Sequence, residues 1–172
     1  VYDAPVAIDS THDFTEFNCG NDALNEWLGK KALQNEARGA TRTFVVCQRG
    51  TNSVAGFFGI TVGGIARDTA ATNLQRNMPD PIPVAIIGRL AVDLGHQGKG
   101  LARSMAQDAV RKALLASRHA GMAAVVVQAK DQQAAAFWQS VGFDPLPAEP
   151  LALALRIKDA VATFPALAGT AP

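Results

Sequence analysis

The residues that most constrain this chain are Ile86-Ile87-Gly88-Arg89-Leu90-Ala91-Val92-Asp93-Leu94-Gly95-His96-Gln97-Gly98-Lys99-Gly100-Leu101-Ala102. They read as a buried apolar strand, a glycine-rich turn and the first turn of a helix. The helix continues through Ser104, Met105, Ala109, Val110, Ala113 and Leu114. After Ala120-Gly121, a further apolar run over 123–129 reads as a second strand. Strand, helix and strand in that order make a right-handed βαβ unit with two parallel strands. The turn between the first strand and the helix is physically an anion site, because its N–H groups and the helix's unpaired amides converge. Glycine lets the backbone approach a ligand with no Cβ in the way.

The flanking segments build on that unit. Val6-Ala7-Ile8 is β-like, and Phe17-Asn18-Cys19-Gly20-Asn21-Asp22 is a turn ending in good N-cap residues. A helix is expected from Ala23, with Leu24, Trp27, Leu28 and Lys31 at i, i+3, i+4 and i+7, and Leu33 extending that face. Its last turns carry Lys30, Lys31 and Arg38, and Gly39 suits the position just past its end. Strands over 41–48 and 54–62 make a hairpin, and the glycines in the second strand suggest a bulge or a close backbone neighbour. Residues 63–83 read as a loop with one short helix around 70–76, and the prolines of 78–83 argue against regular structure there. Downstream, Asp131 caps a helix over 132–140 whose buried side is Ala134, Phe137, Trp138 and Val141. Gly142-Phe143-Asp144-Pro145 ends it, and a last strand over 151–157 precedes an Ala/Pro-rich tail, frayed from about 160. No internal repeat or linker divides the chain, so residues 1–172 are expected to form one domain.

Composition excludes several classes. With 48% hydrophobic and 18% charged residues the chain is globular, and a net charge of +1 leaves no global field toward nucleic acid or membranes. Any polyanion contact must come from a local cluster. The two cysteines, Cys19 and Cys47, form no CxxC and read as free thiols of a reducing compartment. No apolar run spans a bilayer and the N-terminus lacks a signal peptide's regions, so the expected location is the cytoplasm. His12, His96 and His119 fit no metal-ligand spacing, and no metal is expected.

Two common phosphate loops fail against the glycine turn. A P-loop needs Gly-x4-Gly-Lys-[Ser/Thr], which is absent. The dinucleotide fingerprint needs a third glycine, but Gly98-Lys99-Gly100 is followed by Leu101, Ala102 and Arg103, and the unit lies in mid-chain instead of near the start. Gln97-Gly98-Lys99-Gly100-Leu101-Ala102 instead resembles Gln/Arg-x-x-Gly-x-Gly/Ala, the pyrophosphate loop of the GNAT acetyltransferase superfamily. The hairpin, the strand ending in Leu90-Ala91-Val92-Asp93 and the later Phe137-Trp138-x-x-x-Gly142-Phe143 resemble that family's core. A narrower likeness lies in Phe17-x-Cys19-Gly20-x-x-x-Leu24-x-x-Trp27-Leu28, Gln34-Asn35-x-x-x-Gly39-x-Thr41-x-Thr43, Gly56-Phe57-Phe58, Pro81-Ile82-Pro83-Val84 and Gly88-Arg89-Leu90-Ala91-Val92-Asp93. These resemble the GNAT toxins of toxin–antitoxin operons.

The resemblance implies an α/β fold: a mixed, twisted, mostly antiparallel sheet with one central parallel pair and helices on both faces. It implies acetyl-CoA as cofactor and aminoacyl-tRNA as substrate, acetylated on its α-amino group so that translation stalls. It also implies a homodimer and a small ribbon-helix-helix antitoxin as partners. On that basis Gln97, Gly98, Lys99, Gly100, Leu101 and Ala102 clamp the cofactor's phosphates, Leu90, Ala91 and Val92 offer strand-edge backbone groups to its pantetheine arm, and Asp131 and Phe137 complete the cofactor site. A backbone N–H among 90–92 would polarise the thioester carbonyl. Lys30, Lys31, Arg38, Arg42 and Arg89, joined by Arg67 and Arg76, are candidates for RNA or substrate contact, with solvated charge or an ion pair from Arg89 to an acid such as Asp93 as the bland alternative.

One position departs from the family. The toxins carry a tyrosine where this chain has Trp138, and an indole N–H is no acid near neutral pH. The chain's single tyrosine, Tyr2, lies far away in sequence. Three outcomes stay open: slow transfer sustained by positioning, a proton from Ser140 or water, or an inactive variant that binds CoA without turnover. A GNAT enzyme acting on a small amine or a protein amine is the alternative to the tRNA reading.

Overall fold

The computed structural model describes residues 1–163. Its strands are β1 (Val6–Ala7), β2 (Arg42–Cys47), β3 (Val54–Ile65), β4 (Ile82–Val92), β5 (Ala124–Gln128), β6 (Asp144–Pro145) and β7 (Ala152–Arg156). Its helices are α1 (Asp22–Lys30), α2 (Ala32–Ala37), α3 (Thr72–Gln75), α4 (Leu101–Ala116), α5 (Gln132–Val141) and α6 (Ile157–Thr163). The strands form a seven-stranded mixed sheet in the order β1-β2-β3-β4-β5-β7-β6. The described chain falls into two compact units, and β3 and β4 each run through both.

The first unit holds Val1–Thr61 and Gly88–Asp108. Here β2 pairs antiparallel with β1 and β3, and the ladder shifts register between Val46 and Cys47, where β3 carries one extra residue, Ala55. Successive strand residues face opposite ways, so Phe57 and Phe58 serve two layers. Phe57 joins Phe17, Trp27, Leu28 and Ala32 in one cluster, with the Trp27 ring stacked on it at 6.0 Å. On the opposite face a Cβ on Gly56 would stand 2.9 Å from Met105 Cε, so α4 lies against the strand with no room for a side chain. Helices therefore cover both faces of this unit's strands.

The expected single helix over 23–38 is two. Asn21 caps α1 by accepting the Leu24 N–H, and the run breaks at Lys31, whose φ of −121° is not helical. The break resets the buried face: Ala32 is fully buried and Lys31, assigned to the apolar face, is exposed. Gly39 ends α2 at φ +73°, with the Gly39 N–H donated to Glu36 C=O and the Ala40 N–H to Asn35 C=O. Cys19 and Cys47 are free, and burial first, then the charge of Asp3, pushes the Cys47 thiol pKa up.

The second unit holds Val62–Ile87 and Ala109 onward. β4 and β5 are the expected parallel pair, matched from Val84↔Ala124 to Ile87↔Val127, and β7 runs antiparallel to β5. Ala70, Leu74, Ile82, Val84, Ala124 and Val126 form a cluster here, so the short helix expected near 70–76 is α3 with its flank. The rest of 63–83 is more regular than expected. β3 continues to Ile65 and β4 begins at Ile82, with Pro83 inside it contributing its carbonyl to the Ala123 N–H (2.9 Å). At the other end, Ile157 leaves the last strand and opens α6, which Arg156 anchors through two bonds to the Asp159 carboxylate (2.8 and 3.0 Å). Residues 160–163 are thus helical, not frayed; the remainder of the tail lies outside the described residues.

Candidate active site

The parallel pairing ends at Ile87↔Val127, and β4 runs on for five residues to Val92. Past that point Gly88 is exposed, with nothing within 4 Å of where its Cβ would be. The chain then turns at Asp93, makes a 3-10 turn over Leu94–His96, and passes through Gly98 (φ +75°) and Gly100 (φ +81°) into α4. Both glycines occupy the left-handed region, and neither would meet a neighbour if given a Cβ. The Ser104 N–H donates to Gly100 C=O (3.1 Å), so α4 opens directly out of the glycine turn with its N-terminal amides on that side. This is an open cradle of backbone donors, and its donor set suits a pyrophosphate.

Several side chains hold that cradle. The Asp93 carboxylate accepts the Gly95 N–H at 2.8 Å and the Asn18 N–H at 2.9 Å. The Gln97 side chain turns back from the loop, its Nε2 donating to Val92 C=O (3.0 Å) and Cys19 C=O (3.4 Å). Gln97 therefore tethers the loop, and the Val92 carbonyl, expected to face the pantetheine arm, takes that tether. Lys99 is exposed at the turn. Tyr2, distant in sequence, places its Oη 2.9 Å from His96 Nδ1. No periodicity or spacing could have signalled that pair.

Arg89 does not form the ion pair weighed for it with an acid such as Asp93. Its guanidinium lies over the Trp27 ring, 4.1 Å from the centroid, and burial holds its pKa below the ordinary value. No acid pairs with it among the described residues; Asp93 is committed to backbone N–H groups instead. Lys30 pairs with Glu26 (3.4 Å) and Arg42 with Glu36 (3.5 Å), both at the surface, while Lys31 and Arg38 are exposed. All five belong to the first unit; Arg67 and Arg76 belong to the second, where Arg67 Nε donates to Gln75 C=O (3.1 Å).

Trp138, Phe137 and Asp131 also lie in the second unit. Asp131 caps α5, its Oδ1 accepting the Ala134 N–H at 2.8 Å. The helix buries Ala135, Trp138 and Val141; Ala134 and Phe137, expected with them, are half-buried, because the buried stripe is turned by one residue. Trp138 meets Phe137 and Phe143 edge to face, with centroids 5.2 and 5.1 Å apart. Ser140 Oγ donates to Phe137 C=O at 2.6 Å. Among the described residues no three of His, Cys, Asp and Glu gather as a metal site, and no helix is long and apolar enough to cross a membrane.

A mixed sheet whose parallel pair is followed by a glycine cradle at a helix start is an arrangement that suits the phosphates of a cofactor such as acyl-CoA. Comparison with known proteins agrees: the chain belongs to the acetyltransferase (GNAT) family, whose model matches residues 9–143. It is 39% identical over 159 residues to a tRNA-acetylating toxin of Mycobacterium tuberculosis (strain ATCC 25618 / H37Rv), covering 92% of this chain and 95% of the relative. Among solved structures it is similar to AtaT complexed with acetyl-methionyl-tRNAfMet, with a TM-score of 0.86, 26% identity, and 94% and 98% of the two chains covered. It is also similar to a tyrosine-to-phenylalanine variant of AtaT bound to the C-terminus of the antitoxin AtaR and acetyl-CoA, with a TM-score of 0.80, 26% identity, and 94% and 97% covered. The fold is the GNAT fold, the enzyme class is N-acetyltransferase, and the family's cofactor is acetyl-CoA.

Proposed function

We propose that this chain acetylates the α-amino group of aminoacyl-tRNA and thereby blocks translation, as a toxin held in check by an antitoxin. The 39% identity to a tRNA-acetylating toxin across 92% of the chain carries this reading. Acetyl-CoA, when bound, supplies the activated acetyl group. The chain's own part is to bind, orient and exclude. The N–H groups of 97–102 take the phosphates. The β4 edge at Leu90, Ala91 and Val92, whose carbonyl at Val92 already accepts from Gln97, offers its remaining backbone groups to the pantetheine arm and polarises the thioester carbonyl. Asp131 and Phe137 complete the cofactor side.

Arg89, stacked on Trp27 with its N–H fork free of acids, is the strongest candidate for an acceptor-end phosphate. Lys31 and Arg38 extend that side, and Lys30 and Arg42 do so more weakly because each already has a carboxylate. We read residues 1–172 as one catalytic domain, since β3 and β4 both run through the two units. The working form is a cytoplasmic homodimer with a ribbon-helix-helix antitoxin.

The deciding experiment incubates the chain with labelled acetyl-CoA and bulk charged tRNA, with deacylated tRNA as control. Label carried by charged tRNA alone is expected; label on protein or small amines, with none on tRNA, would refute the substrate. Trp138 favours a second reading, a CoA-binding form without turnover, in which CoA binds tightly and no amine is acetylated.

A further inference from the structure

We propose that the N-terminal segment of this chain is a brace that pre-shapes the cofactor loop, with Asp93 and Tyr2 as its positioning residues. The inference rests on reading 97–102 as the pyrophosphate clamp. A loop carrying Gly95, Gly98 and Gly100 has many conformations in which its amides do not converge. Bonds made before the ligand arrives remove those conformations, and affinity rises because less ordering is left for binding to do.

Two segments supply such bonds. From the turn ahead of α1, the Asn18 N–H is donated to Asp93 Oδ1 (2.9 Å) and Asn18 C=O accepts the Leu94 N–H (2.8 Å). Cys19 C=O accepts from Gln97 Nε2 (3.4 Å), and Asn18 is itself fixed, its Oδ1 accepting the Gly20 N–H (2.9 Å) and Asn25 Nδ2 (3.0 Å). From the chain start, Tyr2 meets His96 both by the 2.9 Å bond and edge to face, with ring centroids 5.5 Å apart. The Asp3 N–H donated to Cys47 C=O and the Arg49 N–H donated to Val1 C=O, both 3.0 Å, hold Tyr2 there. The loop is thus gripped at residues 93, 94 and 96, just before its phosphate-facing part, and at 97, the first residue of that part. Tyr2 lies outside the span matched by the family model.

Asp93 makes the sign of the effect informative. A carboxylate close to a polyanion site repels the ligand, so if Asp93 were only a charge, Asp93→Asn would tighten CoA binding. As a brace, both its oxygens are needed: Asn offers one acceptor, and its NH₂ group would face a backbone N–H. The brace therefore predicts weaker CoA binding from a change that simple electrostatics says should strengthen it.

The test is calorimetric titration of the full chain, Asp93→Asn and Tyr2→Phe with CoA and with pantetheine, which lacks the phosphates. Wild type should bind CoA more tightly than pantetheine. Asp93→Asn should weaken CoA about tenfold and Tyr2→Phe about threefold, the scale of one or two hydrogen bonds, with pantetheine affinity unchanged. Unchanged or tighter CoA binding in both variants overturns the brace, and so does an equal loss for CoA and pantetheine. Should Asp93→Asn fail to fold, Tyr2→Phe decides alone, since it removes one hydroxyl near the chain start. A wild type with no preference for CoA over pantetheine would refute the clamp reading, and the brace with it; a failure of the brace alone leaves that preference intact in every variant.

Discussion

Restoring a tyrosine at position 138 asks whether this chain lacks only a proton donor. Trp138 is 7% exposed and wedged between Phe137 and Phe143. Replacing indole with phenol keeps an aromatic ring but removes part of its buried area. At about 25 cal/mol per Å2 of apolar surface, and with weaker ring-edge contacts, Trp138→Tyr should cost about 1–2 kcal/mol of stability. A domain with about 5–15 kcal/mol in hand stays folded. Against that cost, a positioned general acid contributes about 10²–10⁴-fold in rate. CoA thiolate is a fair leaving group and takes less than the full benefit, so the expected gain in acetyl transfer is at least about tenfold, or about 1.4 kcal/mol of barrier. The assay is initial-rate transfer from labelled acetyl-CoA to charged tRNA, with kcat and KM measured separately. Trp138→Phe is the control, since it loses similar packing and gains no hydroxyl. Tyrosine and phenylalanine variants of equal rate would refute a role for position 138 in proton delivery.

Gly56→Ala should destabilise by about 1–2 kcal/mol in urea unfolding, because the new Cβ meets Met105 Cε at 2.9 Å and Ala91 C=O at 3.2 Å. Met105→Ala should relieve the part due to the flexible side chain, and a cost unchanged in that background would show the clash is placed wrongly. Arg89→Lys keeps the charge and loses the planar stack on Trp27, so tRNA affinity should fall about fivefold at fixed salt; equal affinity would reduce Arg89 to a point charge. Asp13 accepts from the Thr15 hydroxyl (2.7 Å) and N–H (3.0 Å), which lower its carboxyl pKa in the folded state. The stability this supplies is present above the unfolded pKa and is lost as pH falls through the folded one, so Thr15→Val should raise the acid-unfolding midpoint, below about pH 4. An unmoved midpoint would remove that linkage.

What was legible in the sequence follows from how local each cause is. The strand, turn and helix over 86–102 are written in adjacent residues, and the left-handed conformations of Gly98 and Gly100 are the reason glycine stands there. The asparagine cap of α1 and the aspartate cap of α5 are likewise contained within four residues. The misses have distant causes. Gly63 and Gly64 look like loop residues, yet Cβ atoms there would stand 2.7 Å from Ile86 Cδ1 and 2.8 Å from Pro81 Cβ. They are strand residues kept small by tertiary neighbours. The break at Lys31 depends on burying Ala32, which an uninterrupted helical pattern does not reveal. The site showed the same division: the glycine cradle could be read, whereas Trp27 beneath Arg89 and Tyr2 against His96 are pairings across 62 and 94 positions that only the folded chain makes.

On the proposed reading, the loop that clamps the phosphates and the position expected to deliver the proton are different parts of the chain. The phosphate end of the cofactor is, on this reading, held by backbone donors shaped by glycines and tethered by Asp93, Asn18, Gln97 and Tyr2, all in the first unit. Proton delivery, on the family's pattern, depends on position 138, whose neighbours Phe137 and Phe143 belong to the second. The brace on the glycine loop is built without Trp138, so Trp138→Tyr should leave CoA affinity unchanged, and calorimetric titration showing a loss would overturn that separation. On that reading Trp138 is a question about the rate of acetyl transfer and is no argument against the cradle that holds the cofactor.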